Sequence, residues 1–316
     1  MKRLGLRSFG PLFLCACLVT ACDTHSAQRP GPVVGNDYPH NEEAGADTPR
    51  QVPTDTPSPA PGATDYDWRS EAQMADVPAQ SFTGENYGSH YYQDIMSHTK
   101  PDYFDEPATS AHETLHGLHS DMRQKTAAKD GFVYYGNGKG LYIVEPKDTL
   151  ADVKNYVGPS FQQLAKTNYD MYLVKQLQYW KNAIYLFDEW TCYIATARTA
   201  IEAQMAGKWT AQFAASHTDP IEGLVTMMYF NSAAILSIKK ADPEYVKTNK
   251  QYKAAYAMTM EESAYLVNHA RNTPYWAKSR AYGKLENLQT AADAAPVRAA
   301  IKELMGDAWA KRVLGI

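Results

Sequence analysis

The residues Ala111-His112-Glu113-Thr114-Leu115-His116 carry the clearest chemical pattern in this chain of 316 residues. On a helix, positions four apart stack on one face. The imidazoles of His112 and His116 can therefore reach one metal ion. Glu113 is rotated off that axis, so it stays out of the coordination sphere and is free to take a proton from a water beside the ion. Zn2+ held there would lower that water's pKa to roughly 7 and provide a nucleophile at neutral pH.

A catalytic zinc site uses three protein ligands and keeps one position open. The third ligand must come from elsewhere in the chain. His119 and Asp121 are nearest in sequence. On a straight helix His112 and His119 lie about 10 Å apart along the axis, which is too far for one ion unless Gly117 breaks the helix. Glu189 is the better placed group. It sits in Tyr185-Leu186-Phe187-Asp188-Glu189-Trp190-Thr191-Cys192-Tyr193, and a carboxylate buried among such residues needs a partner, which a metal would be. The alternative is an exposed Glu189, or one paired with Arg198. Glu145, Glu202 and Glu262 remain as substitutes.

His112-Glu113-x-x-His116 with a later helical glutamate resembles the gluzincin arrangement of zinc metallopeptidases. The resemblance covers the motif helix and the Glu189 segment. It implies a zincin-like active-site helix, zinc ligands His112, His116 and Glu189, and Glu113 as the base. It also implies a donor for the developing oxyanion, commonly a tyrosine or histidine. Tyr185 and Tyr193 flank Glu189 at i−4 and i+4, so both are candidates. The gap from His116 to Glu189 is longer than in the familiar pattern, and the clearest hairpin follows the motif helix.

These residues need elements to position them. Phe132-Val133-Tyr134-Tyr135 and Leu141-Tyr142-Ile143-Val144 are strand-like runs, and the glycine-rich stretch 136–140 joins them as a hairpin. An exposed edge of that hairpin could take a peptide as an added strand. Apolar spacing of three and four predicts helices over 160–183, 186–205, 220–240, 243–272 and 296–313. Thr109 or Ser110 is the expected cap of the motif helix. The fold class expected is mainly α with a small β-sheet or hairpin (α+β).

The start of the chain predicts its destination. Lys2, Arg3 and Arg7 precede a short apolar stretch, and Leu18-Val19-Thr20-Ala21-Cys22 follows. A basic start, a short apolar run and small residues before a cut site mark a signal peptide over 1–21. The cysteine in that place resembles the lipobox of bacterial lipoproteins, which implies acylation of Cys22 and a membrane-anchored lipoprotein of the cell envelope. Residues 22–64 are Pro-rich and poor in aromatic and aliphatic side chains, as expected of a disordered linker. The hydrolase domain is expected over 65–316, beginning between 65 and 85.

The remaining composition limits the partners. The net charge is −4 and no Lys/Arg block is present, which argues against nucleic acid. Cys192 is the one cysteine expected in the folded part, read as a buried apolar residue with no disulfide partner. The stretch 221–238 reads as a buried core helix, since Glu222 and Asn231 interrupt it. The function expected is a membrane-tethered zinc metallopeptidase acting on protein or peptide. A zinc-dependent cell-wall amidase and a non-catalytic ligand-binding lipoprotein are its rivals.

Overall fold

The motif lies on a helix that starts earlier than its hydroxyl residues suggest. In the computed structural model, which describes residues 72–125, 130–147, 150–178, 180–210, 213 and 219–316, this helix runs over Pro107–Gln124. Proline suits a first helical turn, where its missing N–H costs nothing. The cap is Glu106, whose carboxylate accepts from the Ala108 and Thr109 amides at 2.7 and 2.6 Å. Thr109 and Ser110 therefore do not cap it. Ser110 Oγ instead accepts from the Phe104 amide at 2.8 Å. The predicted signal peptide, the acylated Cys22 and the linker lie outside the described residues.

Three strands and one further helix flank the motif helix. In chain order the elements are β1 (Ala75–Asp76), α1 (His90–Met96), α2 (Pro107–Gln124), β2 (Asp130–Gly136) and β3 (Lys139–Val144). The sheet order is β1-β3-β2, antiparallel throughout. The hairpin turn is tighter than the glycine-rich stretch implies. Gly136 already pairs with Lys139, leaving Asn137 and Gly138, both at positive φ. Asn-Gly suits that two-residue turn because both central residues must be left-handed.

The rest is helical: α3 (Leu150–Val153), α4 (Pro159–Leu164), α5 (Lys166–Asp170), α6 (Ile184–Met205), α7 (Pro220–Ala241), α8 (Pro243–Thr248), α9 (Lys250–Arg271), α10 (Ala281–Thr290), α11 (Ala295–Met305) and α12 (Asp307–Leu314). The expected class, mainly α with a small sheet, holds. Several predicted helices are broken, however. The stretch 160–183 splits at Ala165, which leaves the helical region, and then continues as a π-helical turn, Met171–Lys175, and a 3-10 turn, Gln176–Gln178. The stretch 243–272 splits at Asn249, whose side chain caps α9 by accepting from Tyr252 N at 2.9 Å. Gly306, at positive φ, divides 296–313.

Helix α6 is the centre of the molecule. It is apolar around most of its circumference, as a helix packed on several sides must be. On one side Cys192 and Ala195 pack with Ala111, Leu115 and Leu118 of α2 and with β2. On the others Phe187, Trp190 and Ile194 join the larger core built with α7 and α9. Helix α7 is long and apolar enough to cross a membrane, yet 94% of its apolar window is buried inside the protein. It is a core helix.

Helix α2 continues unbroken through Gly117. That glycine is exposed, and a Cβ there would meet nothing within 4 Å. Gly117→Ala is therefore expected to stabilise the fold by about 0.5–1 kcal/mol, since an exposed helical glycine costs that much in chain entropy. Urea unfolding of the two proteins checks it, and a lowered midpoint would contradict the unbroken helix.

Candidate metal centre

Helices α2 and α6 pack against each other and set their polar residues face to face. Helix α2 contributes His112 and His116. Helix α6 contributes Glu189, and His112, His116 and Glu189 form a group able to hold one ion. His112 Nε2 and His116 Nε2 are 3.2 Å apart. Glu189 Oε2 lies 3.5 Å from the first and 3.6 Å from the second. A tetrahedral zinc with bonds of about 2.0–2.1 Å spaces its ligand atoms about 3.4 Å apart. The three atoms already have that spacing.

Hydrogen bonds behind the ligands fix which atoms face the centre. Thr196 Oγ1 donates its proton to Cys192 O at 2.9 Å. Its contact with His112 Nδ1, at 3.0 Å, must then be accepted from an Nδ1–H. His112 Nε2 is left as a bare lone pair. His116 turns its Nδ1 toward Asp188 Oδ2 at 3.4 Å, so its Nε2 is likewise free to accept. The Tyr185 hydroxyl donates to Glu189 Oε1 at 2.6 Å, leaving Oε2 for the centre. With His116 neutral, three acceptors thus converge with no donor among them. Such an arrangement calls for a cation.

Asp188 is itself held. His119 Nδ1 bonds its Oδ1, and Arg123 Nη1 reaches its Oδ2 at 3.3 Å. The amide of Tyr134, on β2, donates to His119 Nε2 at 3.1 Å. His119 therefore carries its proton on Nδ1 and is neutral, in keeping with the lowered pKa that burial imposes on it. A chain runs from the β2 backbone through His119, Asp188 and His116 to the centre.

The chain gives no match when compared with protein-family models, with curated proteins and with solved structures.

The electrostatics of the centre agree with its geometry. Burial alone would raise the Glu189 carboxyl, but His116 and His112 override it and hold its pKa at about 2. Burial likewise opposes ionisation of Asp188, and His116 and His119 keep its pKa well below the ordinary carboxylate value. Burial disfavours the His116 cation, but Cys192, Glu189 and Asp188 raise its pKa well above normal. The Cys192 thiol is pushed up by burial and stays protonated at neutral pH, so the carboxylates account for that effect. Without an ion, a proton on His116 fills the need for positive charge.

The predicted residues divide accordingly. His112, His116 and Glu189 come together. Glu113 is half-exposed on the same turn of α2. Tyr193 sets its ring edge-on to His112, with centroids 5.0 Å apart. Tyr185 donates to the Glu189 carboxylate. His119 is wholly buried and supports a carboxylate. Asp121 accepts from Thr99. Glu145 is exposed and meets Asn182. Glu202 accepts from Ser89, the Tyr91 amide and Arg198, and Glu262 also pairs with Arg198. None of these joins the centre. Cys192, a buried free cysteine, forms a second possible group with His116 and Asp188. That group is the poorer one, because Asp188 is already bonded by His119 and Arg123.

The β2 edge is not open to an added peptide at Tyr134, whose outward amide is bonded to His119. Sequence reasoning missed Asp188 and Thr196. For Thr196 a signal existed: 189, 193 and 196 follow helical spacing on one face.

Proposed function

We propose that the chain is a zinc-dependent metallopeptidase that hydrolyses peptide bonds outside the cytoplasm, tethered to a membrane through Cys22. The observation that carries this reading is the convergence of His112 Nε2, His116 Nε2 and Glu189 Oε2 at zinc-ligand spacing. Zn2+ bound there would polarise a carbonyl and lower the pKa of a water to roughly 7.

The chain's own residues supply the rest. Glu113 takes a proton from the attacking water and returns it to the leaving amine. Tyr193, partly open to solvent beside His112, donates to the carbonyl oxygen as charge develops on it. Tyr185 loses the oxyanion role, since its hydroxyl is taken up by Glu189 and Gln176. It orients that carboxylate, as Asp188 orients His116.

The test is metal analysis of the full chain together with cleavage of a panel of proteins and muropeptides, with and without chelator. One zinc per chain and chelator-sensitive cleavage of protein are expected. Turnover of muropeptides alone would move the activity to a cell-wall amidase. Zinc with no turnover would leave a binding protein, and no zinc would sink the reading. The anchor is tested separately. Cys22→Ser is expected to abolish acylation and shift the protein from the detergent phase to the aqueous phase, and unchanged partitioning would remove the lipoprotein reading.

A further inference from the structure

Behind Tyr193 stands a second tyrosine. Tyr172 lies on the π-helical turn Met171–Lys175 and is buried. Its hydroxyl is 2.9 Å from the hydroxyl of Tyr193. A π-helical turn is an uncommon element that recurs at functional sites, and here it brings a phenol to the metal centre. A third element makes room for the pair. A Cβ on Gly223 of α7 would fall 2.1 Å from Tyr193 Cε1, so only glycine lets the Tyr193 ring lie where it does. Three elements, α6, α7 and the π turn, thus fix one phenol against His112.

Each hydroxyl has one proton and can also accept. Among the described residues, Tyr193 is the one hydrogen-bond partner found for the Tyr172 hydroxyl. If Tyr172 gives its proton to Tyr193 Oη, the Tyr193 proton must point elsewhere. The Tyr193 ring lies edge-on against His112, with centroids 5.0 Å apart, so its hydroxyl belongs to a side chain that packs on a candidate ligand. We propose that Tyr172 is a positioning residue that donates to Tyr193 and so directs the Tyr193 proton at the oxygen of a tetrahedral intermediate. Paired hydroxyls of this kind polarise one another, and the outer one becomes the better donor. Tyr172 acts through Tyr193 and never touches substrate. This inference rests on the metallopeptidase reading.

Tyr172→Phe keeps the ring and removes only the hydroxyl. The probes are a phosphinic dipeptide, whose tetrahedral anion stands in for the intermediate, and acetohydroxamate, a planar metal-binding probe. Both are titrated by calorimetry into the zinc-loaded full chain. Tyr172→Phe and Tyr193→Phe are each expected to weaken the phosphinic dipeptide about tenfold, with zinc content, near-ultraviolet circular dichroism and acetohydroxamate binding unchanged. The double variant should lose no more than Tyr193→Phe alone, because Tyr172 has no other route to the ligand. Unaltered phosphinate affinity in Tyr172→Phe would overturn the proposal, as would additive losses in the double variant. Failure of the wild type to bind the phosphinate would overturn it too. The two readings fail separately. Cleavage of protein with no effect of Tyr172→Phe leaves the metallopeptidase standing without this residue. Coupled phosphinate losses with no cleavage of any panel member leave the tyrosine pair standing without the peptidase.

Discussion

Glu113→Gln is expected to keep one zinc per chain, unfold like the wild type, and lose hydrolysis by about 100-fold to 10,000-fold, the range typical of losing general acid–base help. Glutamine matches glutamate in size and shape but cannot accept a proton at neutral pH. The zinc should stay because the converging acceptors belong to His112, His116 and Glu189, and Glu113 is not among them. The measurement pairs metal analysis with cleavage of the same substrate panel. Chelator-sensitive turnover at the wild-type rate in this variant would remove Glu113 from the mechanism even with zinc in place.

Glu189→Ala should weaken zinc binding on the order of 1,000-fold, taking about a third of the roughly 10–16 kcal/mol of a structural zinc site as one ligand's share. His119→Ala should weaken it by only about 10–100-fold, the usual cost of losing a group that orients a ligand. Stability of the metal-free proteins should fall in both. His119→Ala strands the buried Tyr134 amide and frees Asp188, and an unpaired buried donor costs about 1–3 kcal/mol. Glu189→Ala takes from the His116 cation one of the two carboxylates that pair with it. Competition against a chromophoric chelator and urea unfolding together read both effects. A His119→Ala protein that loses its metal while Glu189→Ala keeps it would sink the ligand assignment.

Local spacing made half of this site readable from the chain alone. His112, Glu113 and His116 sit on consecutive turns of one helix, so their relation is set by helical geometry. Glu189 was legible for a different reason, as a charge stranded in an apolar run. Asp188 sits in the same run and was passed over. Its role depends on His119, 69 residues away, and no local pattern encodes that pairing. The 10 Å axial separation that excludes His119 as a ligand also places it one layer further out, where it supports Asp188. Tyr172 was hidden by the helix predicted over 160–183. A π turn changes the angle per residue, so positions counted at 3.6 per turn point the wrong way. The cap was misplaced because Pro107 starts α2 before the hydroxyl residues, and glutamate is an unusual residue at that position.

The contact between the Tyr134 amide and His119 ties the hairpin to the proposed metal centre. Side chains and amides alternate along a strand, so a slip of one residue in the β2–β3 pairing would point the Tyr134 amide away from His119. Asp188 would then lose the imidazole that steadies it, and His116 its fixed orientation. If the centre holds zinc as proposed, its affinity would be a gauge of strand register: a molecule with a slipped hairpin should load poorly, and a loaded one should resist slipping. Hydrogen exchange would record this as protection of the Tyr134 amide that rises in step with zinc occupancy, and protection indifferent to zinc would mean the two are uncoupled.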